Sequence, residues 1–330
     1  MPVSLVTGGA GFIGSHVVDQ LIAAGHKVLV LDDLSGGSKR NLHKQAHFVN
    51  GSITDHKLLK QIFDENQIDY IFHLAAYAAE GLSHFIKRFN YQNNLIGSVN
   101  LINEAVKHEV KCFVFTSSIA VYGDQKPPVT ENMIPSPKDS YGLAKWAVEQ
   151  ELKLSKEMFD LDYIIFRPHN VYGERQNISD KYRNVAGIFI HQLMNDLPLT
   201  IFGDGSQTRA FSYIGDLIPV IVNSIKQPYL YNDTYNLGAN QHTSVLDLAR
   251  KIEELMSVKG EVNFLEARNE VQHAYASHSK TRKVFGDYES TPLSVGLKKM
   301  IHWAKNTPRP PIKKFENIEI TKNLPSSWKE

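Results

Sequence analysis

The sequence has little of what marks secreted, disordered or nucleic-acid-binding proteins. It contains one cysteine, Cys112, so no disulfide can form within the chain. Its 36 lysines and arginines nearly balance its 35 aspartates and glutamates, and a net charge of +1 offers no large basic field for nucleic acid. The 21 glycines and 14 prolines among 330 residues are too few for a low-complexity chain. The composition is therefore that of a globular protein with a substantial core.

Long hydrophobic runs are also missing. No apolar stretch approaches the roughly 18 residues that a membrane span needs, and the N-terminal residues lack the basic start and apolar core of a secretion signal. We therefore predict a cytoplasmic protein without a membrane or nucleic-acid partner. The 14 histidines form no metal-ligand spacing with Cys112, so no metal site is predicted.

What the sequence does contain is an alternation of short apolar runs and helical stripes. The apolar run Val3–Thr7 ends in glycines, and a helical stripe follows from residue 12 to residue 24. A second apolar run is Lys27–Asp32, and further strands are predicted at 69–73, 111–117 and 162–167, each after a helical stretch. This alternation predicts an α/β fold with a doubly wound parallel sheet. Its ligand should bind at the carboxyl ends of the strands.

The alternation breaks after about residue 170, where a polar loop leads into a helix predicted at 185–196. We therefore predict a first domain of residues 1–170, to which residues 212–240 return, and a smaller mixed domain within 171–330. The last stretch carries four prolines and is expected to run as an extended strap over the surface. These prolines are Pro308, Pro310, Pro311 and Pro325.

The segment TGGAGFIG, between the first strand and the first helix, places glycines at positions 8, 11 and 14. Gly8 allows a tight turn, Gly11 lets a pyrophosphate approach the helix N-terminus, and Gly14 permits close packing of helix on strand. Asp32 ends the second strand, where a carboxylate can accept hydrogen bonds from both ribose hydroxyls of adenosine. With Asp33 beside it, this carboxylate repels a 2′-phosphate. The sequence therefore predicts NAD rather than NADP as cofactor.

A second set of residues could move a proton. Tyr141 and Lys145 are one helical turn apart, and Ser118 follows a predicted strand at its ligand end. A tyrosine with the ordinary pKa of about 10 is a poor base at neutral pH, but a lysine ammonium and a nicotinium ring nearby favour its phenolate. The Tyr-x-x-x-Lys spacing also recurs by chance on helices. It becomes informative here because the glycine turn and Ser118 accompany it.

Together these motifs resemble the extended short-chain dehydrogenase/reductases, and among them the NAD-dependent nucleotide-sugar epimerases such as UDP-glucose 4-epimerase. The resemblance spans nearly the whole chain, and it is more specific for the superfamily than for the reaction. Besides the glycine turn, it rests on the segments Asp32–Leu34, His73–Ala76, Asn93–Gly97, Ser117–Gly123, Tyr141–Lys145, Arg167–Gly173 and Thr208–Phe211.

The resemblance implies roles for individual residues. Ser118 would hydrogen-bond the 4-hydroxyl of the sugar, Tyr141 would accept its proton, and Lys145 would bind ribose and tune the pKa of Tyr141. Arg209 would bind the diphosphate, as suits a planar guanidinium, and Phe202 would lie near the uracil. Further implied substrate residues are Asn170, Asn184, Val185 and Arg268. Further implied cofactor residues are Phe12, Ile13, Ser52, Ile53, Ala75, Tyr77, Asn94, Thr116 and Pro168.

The two residues after Ser118 narrow the choice of reaction. Sugar 4,6-dehydratases of the family carry an Asp-Glu pair there, because elimination of water needs an additional acid and base. Ile119 and Ala120 stand here, without the glutamate of decarboxylating relatives. The resemblance therefore implies a 4-epimerase acting on a UDP-hexose, a UDP-N-acetylhexosamine or a UDP-uronate. Tyr141 would take the 4-hydroxyl proton as hydride passes to NAD, and the 4-keto sugar would rotate and be reduced on its other face.

Some positions depart from the family pattern. Ser52 stands where relatives usually have an aspartate against the adenine. Glu80 falls where the hexose is expected, and it is a sugar-hydroxyl acceptor, an additional base or a salt-bridged structural carboxylate. His169 is interpreted mainly as a packing histidine.

Two positions at the substrate end also depart from the family pattern. The register of the resemblance places Ala267, rather than Arg268, where the family usually has a distal arginine. It places Ala274 where a tyrosine in some epimerases excludes N-acetyl groups, so bulky sugars could fit unless the residue at 275 fills the space.

Two other functions stay open. One is a different NAD-retaining nucleotide-sugar enzyme, such as a dehydratase that uses Glu80. The other is a non-catalytic dinucleotide-binding regulator, which would have no need of Ser118, Tyr141 and Lys145 together. By resemblance, the helical stretches 87–108 and 141–159 pair across a twofold axis, which predicts a homodimer.

Overall fold

The computed structural model describes residues 1–268, 270–286, 290–308 and 315–329. Its strands are β1 (Val3–Thr7), β2 (Lys27–Asp32), β3 (His47–Asn50), β4 (Tyr70–His73), β5 (Cys112–Thr116), β6 (Tyr163–Pro168), β7 (Val171–Tyr172), β8 (Leu199–Phe202), β9 (Thr208–Ala210), β10 (Ser212–Tyr213), β11 (Asp233–Leu237), β12 (His242–Ser244), β13 (Val262–Leu265) and β14 (His273–Ala274).

The helices are α1 (Phe12–Ala23), α2 (His56–Glu65), α3 (Glu80–Ser83), α4 (Lys87–Tyr91), α5 (Gly97–Lys107), α6 (Ser140–Phe159), α7 (Val185–Met194), α8 (Ile214–Asn223), α9 (Val245–Met256), α10 (Ser279–Phe285), α11 (Leu293–Asn306) and α12 (Ser326–Lys329). A π-helical turn, Gln92–Ile96, joins α4 to α5. Across the described ranges, every helix is too short or too polar to cross a membrane.

Seven parallel strands form the central sheet, in the order β11-β6-β5-β4-β1-β2-β3. Helices cover both faces of this sheet, which is why its strands are continuous apolar runs. In β2, Val28 and Val30 face the layer of α1 and α8, while Leu29 and Leu31 face the layer of α2, α5 and α6. The predicted doubly wound parallel sheet is confirmed.

Three small sheets and the helices α7, α9 and α11 follow the sixth strand. They pair β10 with β7, β13 with β8, and both β12 and β14 with β9, of which only β12 runs antiparallel. Their side chains join the core cluster on the α1 face of the central sheet. The chain returns to the central sheet through β11, which pairs with β6 from Asp233 to Leu237.

Residues 315–329, which we call the C-terminal segment, are mostly exposed, in keeping with the predicted surface strap, but they are anchored at two points. Leu324 and Trp328 are buried, and residues 326–329 form the short helix α12. The buried side chains pack against aromatic side chains from the N-terminal half of the chain. Pro310 and Pro311, on which the prediction also rested, lie outside the described residues.

Candidate active site

A cleft of about 1820 Å³ opens at the carboxyl ends of the central strands. Ligand pockets commonly measure roughly 300–1,000 Å³, so this cleft has room for more than one small molecule. Every candidate site residue predicted from the sequence lines it except Asn94. Topology therefore brings residues separated by more than half the chain to one edge of the sheet.

The glycine turn forms one end of this cleft. Gly8 has a φ of +72°, and a Cβ there would lie 2.8 Å from the backbone nitrogen of Ala75. A Cβ at Gly14 would overlap the carbonyl oxygen of Gly8. Helix α1 begins at Phe12 without a capping side chain, so its first N–H groups are available to an anion in the cleft. Backbone that approaches this closely fits a pyrophosphate.

Asp32 lies at the end of β2, beside the glycine turn. Its carboxylate accepts hydrogen bonds from the backbone N–H of Ala10, at 3.0 Å, and of Leu34, at 2.8 Å. Burial raises the pKa of Asp32, although these backbone donors oppose the change. A Cβ on Gly37 would come within 3.0 Å of the carboxylate, so glycine keeps this space open. The arrangement fits the adenosine ribose of NAD.

Ser118, Tyr141 and Lys145 meet at the floor of the cleft, and each is less than a tenth exposed. The Tyr141 phenol lies near enough to the Ser118 hydroxyl for Ser118 to lower its pKa, and that hydroxyl accepts from the backbone N–H of Ala120 at 3.1 Å. The Lys145 ammonium donates to the carbonyl oxygen of Thr116 at 2.8 Å and lies 5.8 Å from the centroid of the Tyr141 ring. The structure therefore brings this predicted set together.

The pKa values in this set differ from the prediction. Burial raises the pKa of Tyr141 above its ordinary value, the Glu80 carboxylate adds to the effect, and the Ser118 hydroxyl opposes it. Burial also lowers the pKa of Lys145 to about 7. In the protein alone, desolvation of both groups therefore outweighs the expected shift of Tyr141 toward phenolate by Lys145. The prediction also includes the positive charge of a nicotinium ring, which would act in the same direction as the Lys145 ammonium.

Asn90 on α4 and Asn94 in the π-helical turn together hold the start of α6. Asn90 donates to the carbonyl oxygen of Ser140 at 2.8 Å, and Asn94 donates to Asn90 at 2.7 Å. Asn94 also accepts from the Tyr77 backbone N–H at 2.8 Å and donates to the Tyr77 carbonyl oxygen at 3.1 Å. Asn94 was predicted to bind the cofactor, but it lies behind the cleft wall and fixes the loop that carries Tyr77.

Under the floor of the cleft lies an ion pair that the sequence analysis missed. Arg167 on β6 donates to both oxygens of Glu149 on α6, at 2.9 and 2.5 Å. The Ser117 hydroxyl donates to the same carboxylate, and Arg167 also donates to the Tyr122 hydroxyl at 2.7 Å. Glu149 is fully buried. The pair therefore joins β6 and α6 to the residue that precedes Ser118.

Two arginines converge on one carboxylate at the other end of the cleft. Arg209 lies 3.7 Å and Arg268 3.4 Å from the same oxygen of Glu270. Arg209 is further held by donating to the carbonyl oxygens of Thr208 and Gln272. Arg268 thus reaches the cleft although Ala267 aligns with the usual arginine position. Two guanidiniums facing one space suit a diphosphate.

Glu80 opens onto the cleft between these two groups. The cleft walls desolvate its carboxyl and raise its pKa to about 7, with a further contribution from Asp139, while Arg209 opposes the change. Both nearby arginines pair with Glu270 rather than with Glu80. The interpretation of Glu80 as a salt-bridged structural carboxylate is therefore wrong.

Other predicted positions have simple environments. The Ser52 hydroxyl hydrogen-bonds the Thr54 hydroxyl at 2.9 Å, beside the cleft. His169 packs as predicted, since its Nδ1 donates to the Ala210 carbonyl oxygen at 2.8 Å and its Nε2 lies 2.9 Å from Nε2 of His278. Burial lowers the pKa of His169 to about 4, so it is neutral at physiological pH.

The prediction that Ala274 and the residue at 275 decide whether bulky sugars fit is wrong, because neither Ala274 nor Tyr275 lines the cleft. Ala274 lies in β14, opposite Arg209 in β9, and the Tyr275 ring stacks on His242 with ring centroids 4.4 Å apart. Within the part of the chain that the structure describes, no group of three or more His, Cys, Asp or Glu side chains could hold a metal ion.

Comparison with known proteins agrees with this site. The sequence model of the NAD dependent epimerase/dehydratase family matches residues 4–238. A putative UDP-glucose 4-epimerase of Methanocaldococcus jannaschii is 35% identical, over 92% of this chain and 99% of its own length. The chain belongs to the NAD-dependent epimerase/dehydratase family.

Solved structures with similar sequences share most of the architecture. A Thermotoga maritima UDP-glucose 4-epimerase with UDP-glucose has 33% identity and a TM-score of 0.88, covering 92% of this chain and 98% of its own. A Methanobrevibacter ruminantium UDP-N-acetylglucosamine 4-epimerase, in complex with UDP-N-acetylmuramic acid, has 30% identity and a TM-score of 0.85, with the same coverage. The predicted family, fold, NAD cofactor and epimerase class are confirmed, whereas the roles of single residues stay predictions.

Proposed function

We propose that this family member is an NAD-dependent UDP-sugar 4-epimerase, acting on a UDP-hexose or its acetamido or uronate derivative. One observation carries the proposal: the Tyr141 phenol, beside Ser118 and buried Lys145, faces a cleft that ends in the glycine turn on one side and paired arginines on the other. The names of the matched relatives support a UDP-sugar as substrate.

In this proposal, bound NAD supplies the acceptor for hydride from carbon 4 and the donor for its return. Ser118 orients the 4-hydroxyl, and Tyr141 takes its proton at Oη and later gives it back. Lys145 is fixed by its hydrogen bond to the Thr116 carbonyl oxygen. From there it would bind the ribose and stabilise the negative charge of the Tyr141 phenolate. Burial of all three side chains excludes water from the proton transfer.

The substrate end binds the nucleotide more firmly than the sugar. Arg209 and Arg268 would bind the diphosphate, and Phe202 would contact the uracil. Asn170, Asn184 and Val185 would complete the nucleotide site, where Asn184 is held by a hydrogen bond to the Val171 carbonyl oxygen. Apart from Ser118 and Tyr141 at carbon 4, only Glu80 among the predicted residues then faces the hexose, so the 4-keto sugar is free to turn.

A dehydratase is the second candidate, and Glu80 is the observation that favours it. Its carboxyl lies close enough to raise the pKa of Tyr141, so it could supply an additional acid or base. Against it, Ile119 and Ala120 are buried apolar side chains at the positions where a dehydratase needs its acid and base.

The test is to incubate the purified protein, with NAD, with UDP-glucose, UDP-N-acetylglucosamine and UDP-glucuronic acid separately and to follow each by NMR. We expect one of them to give its 4-epimer at unchanged mass. Loss of water would identify the dehydratase instead. Absence of inversion at carbon 4 for all three would contradict the proposal.

Replacing Glu80 by Gln is expected to move the acidic limb of the pH profile of kcat to lower pH. In the native protein, the carboxylate ionises above about pH 7, and its negative charge raises the pKa of Tyr141. The amide carries no charge at any pH, so Tyr141 loses its proton more readily. Exposed Glu266 on the cleft rim offers a matched control, and Glu266→Gln should leave the profile in place. An unshifted limb in Glu80→Gln would contradict this coupling.

We further propose that residues 1–170 and 212–240 bind NAD and that the rest of 171–330 mainly binds the nucleotide-sugar. We also propose that two chains form a homodimer. The dimer is supported by apolar side chains exposed on α6 and the turn before α5: Ile96, Leu143, Leu154, Met158 and Phe159. Light scattering should give twice the chain mass of 37.3 kDa, and a single-chain mass would contradict the dimer. The cytoplasmic location stays a prediction.

A further inference from the structure

The C-terminal segment closes the substrate end of the cleft with one aromatic side chain. Trp328 is 6% exposed and packs edge-to-face on Tyr182 and Phe85, with ring centroids 5.4 and 6.2 Å apart. A Cβ on Gly81 would lie 3.2 Å from the indole, next to Glu80. Trp328 therefore fills the space between the loop after β4 and the nucleotide side of the cleft.

Trp328 also holds one of the two diphosphate arginines. The Arg268 guanidinium lies 3.8 Å from the ring centroid of Phe202 and 5.3 Å from that of Trp328, so two aromatic rings contact one cation. Its Nε is buried and has no hydrogen-bond partner among the residues described. A donor in that state suits an anion that arrives in the cleft.

Separate contacts fix the C-terminal segment to the N-terminal wall. The Glu319 carboxylate accepts from the backbone N–H groups of Arg88 and Phe89, both at 2.8 Å. Lys181 donates to the Ser327 carbonyl oxygen at 3.2 Å. The segment therefore carries Trp328 as a built part of the fold rather than as a loose end.

We propose that Trp328 is a positioning residue that clamps the Arg268 guanidinium against Phe202, where it receives the diphosphate of the nucleotide-sugar. The inference rests on the proposed function, since it takes a nucleoside diphosphate as the ligand. It assigns to the C-terminal segment a part in nucleotide binding. Without the indole, the Arg268 side chain would be free to leave Phe202, and its charge would be less available to the diphosphate.

The test is calorimetric titration of the full-length, NAD-loaded protein with UDP and with uridine. Trp328→Leu is expected to weaken UDP binding about five- to tenfold and uridine binding less than about twofold, because the lost contact acts through the cation. Arg268→Gln should weaken UDP binding likewise, and the double variant should be no weaker than Arg268→Gln alone. Trp328→Phe, which keeps a ring face, should restore most of the affinity.

Leu324→Ala provides the matched control, since Leu324 is buried in the same segment and packs in the same cluster as Trp328 but has no aromatic ring for the Arg268 guanidinium. Its effect on UDP binding should add to that of Arg268→Gln. Full additivity of Trp328→Leu and Arg268→Gln, or unchanged UDP binding in Trp328→Leu, would overturn the inference. So would a Leu324→Ala variant that reproduces every effect of Trp328→Leu. Failure of the native protein to bind UDP would instead count against the proposed function.

Discussion

Replacing Tyr141 by Phe is expected to reduce the rate of 4-epimerisation by about 10²–10⁴-fold. Phenylalanine keeps the ring but removes the oxygen that lies near Ser118 and, as we propose, exchanges a proton with the sugar. The cofactor and the nucleotide bind mainly to other residues, so kcat should fall far more than KM changes. Turnover under saturating UDP-sugar, with the NAD content of each preparation measured, checks this.

Tyr235→Phe is the matched control. Its hydroxyl donates to the Leu230 carbonyl oxygen at 3.0 Å, and the residue does not line the cleft. It should lose some stability and keep its turnover. If Tyr141→Phe retained more than about a tenth of native turnover, Tyr141 would not be the group that moves the proton.

Replacing Glu149 by Ala is expected to lower the free energy of unfolding by about 3–5 kcal/mol. The substitution leaves the Arg167 guanidinium buried without its counter-charge and takes the hydrogen-bond partner from Ser117. Urea unfolding with saturating NAD measures the loss, and the same variant should lose activity because Ser117 precedes Ser118.

Two comparisons separate this effect from the loss of any charge on α6. Glu157 lies near the end of the same helix and is exposed, so Glu157→Ala should change the free energy of unfolding by less than about 0.5 kcal/mol. The double variant Glu149→Leu with Arg167→Met should recover part of the loss, because it leaves no unpaired charge. Equal stability of Glu149→Ala and Glu157→Ala would show that the ion pair contributes nothing.

Much of the central sheet could be predicted because its strands are local features. A strand buried on both faces is a continuous apolar run, and β1, β2, β4, β5 and β6 all meet that description. The sequence analysis assigned no bounds to β3, whose residues are only half buried at the sheet edge, or to β11. The register of β11 with β6 depends on a chain return that no local pattern specifies.

The residues of the candidate site also divide into those that a short sequence pattern reveals and those that it does not. The glycine turn and the Tyr141–Lys145 spacing are each contained in a short segment, so sequence reasoning found them. Glu149 and Arg167 are 18 residues apart and meet only because α6 packs beside β6. Trp328 reaches the cleft from the end of the chain, and a lone tryptophan after prolines gives no sign of its partners.

The pairing of Arg209 and Arg268 with Glu270 also affects how well salt anions compete with UDP for the two guanidiniums. One carboxylate already balances part of their charge, so a chloride ion that displaced it would replace one negative charge with another. A diphosphate brings more charge and two phosphoryl groups to the same space. We expect sodium chloride to be a weak competitor of UDP in a titration, so that the site binds the nucleotide selectively in the presence of a large excess of chloride.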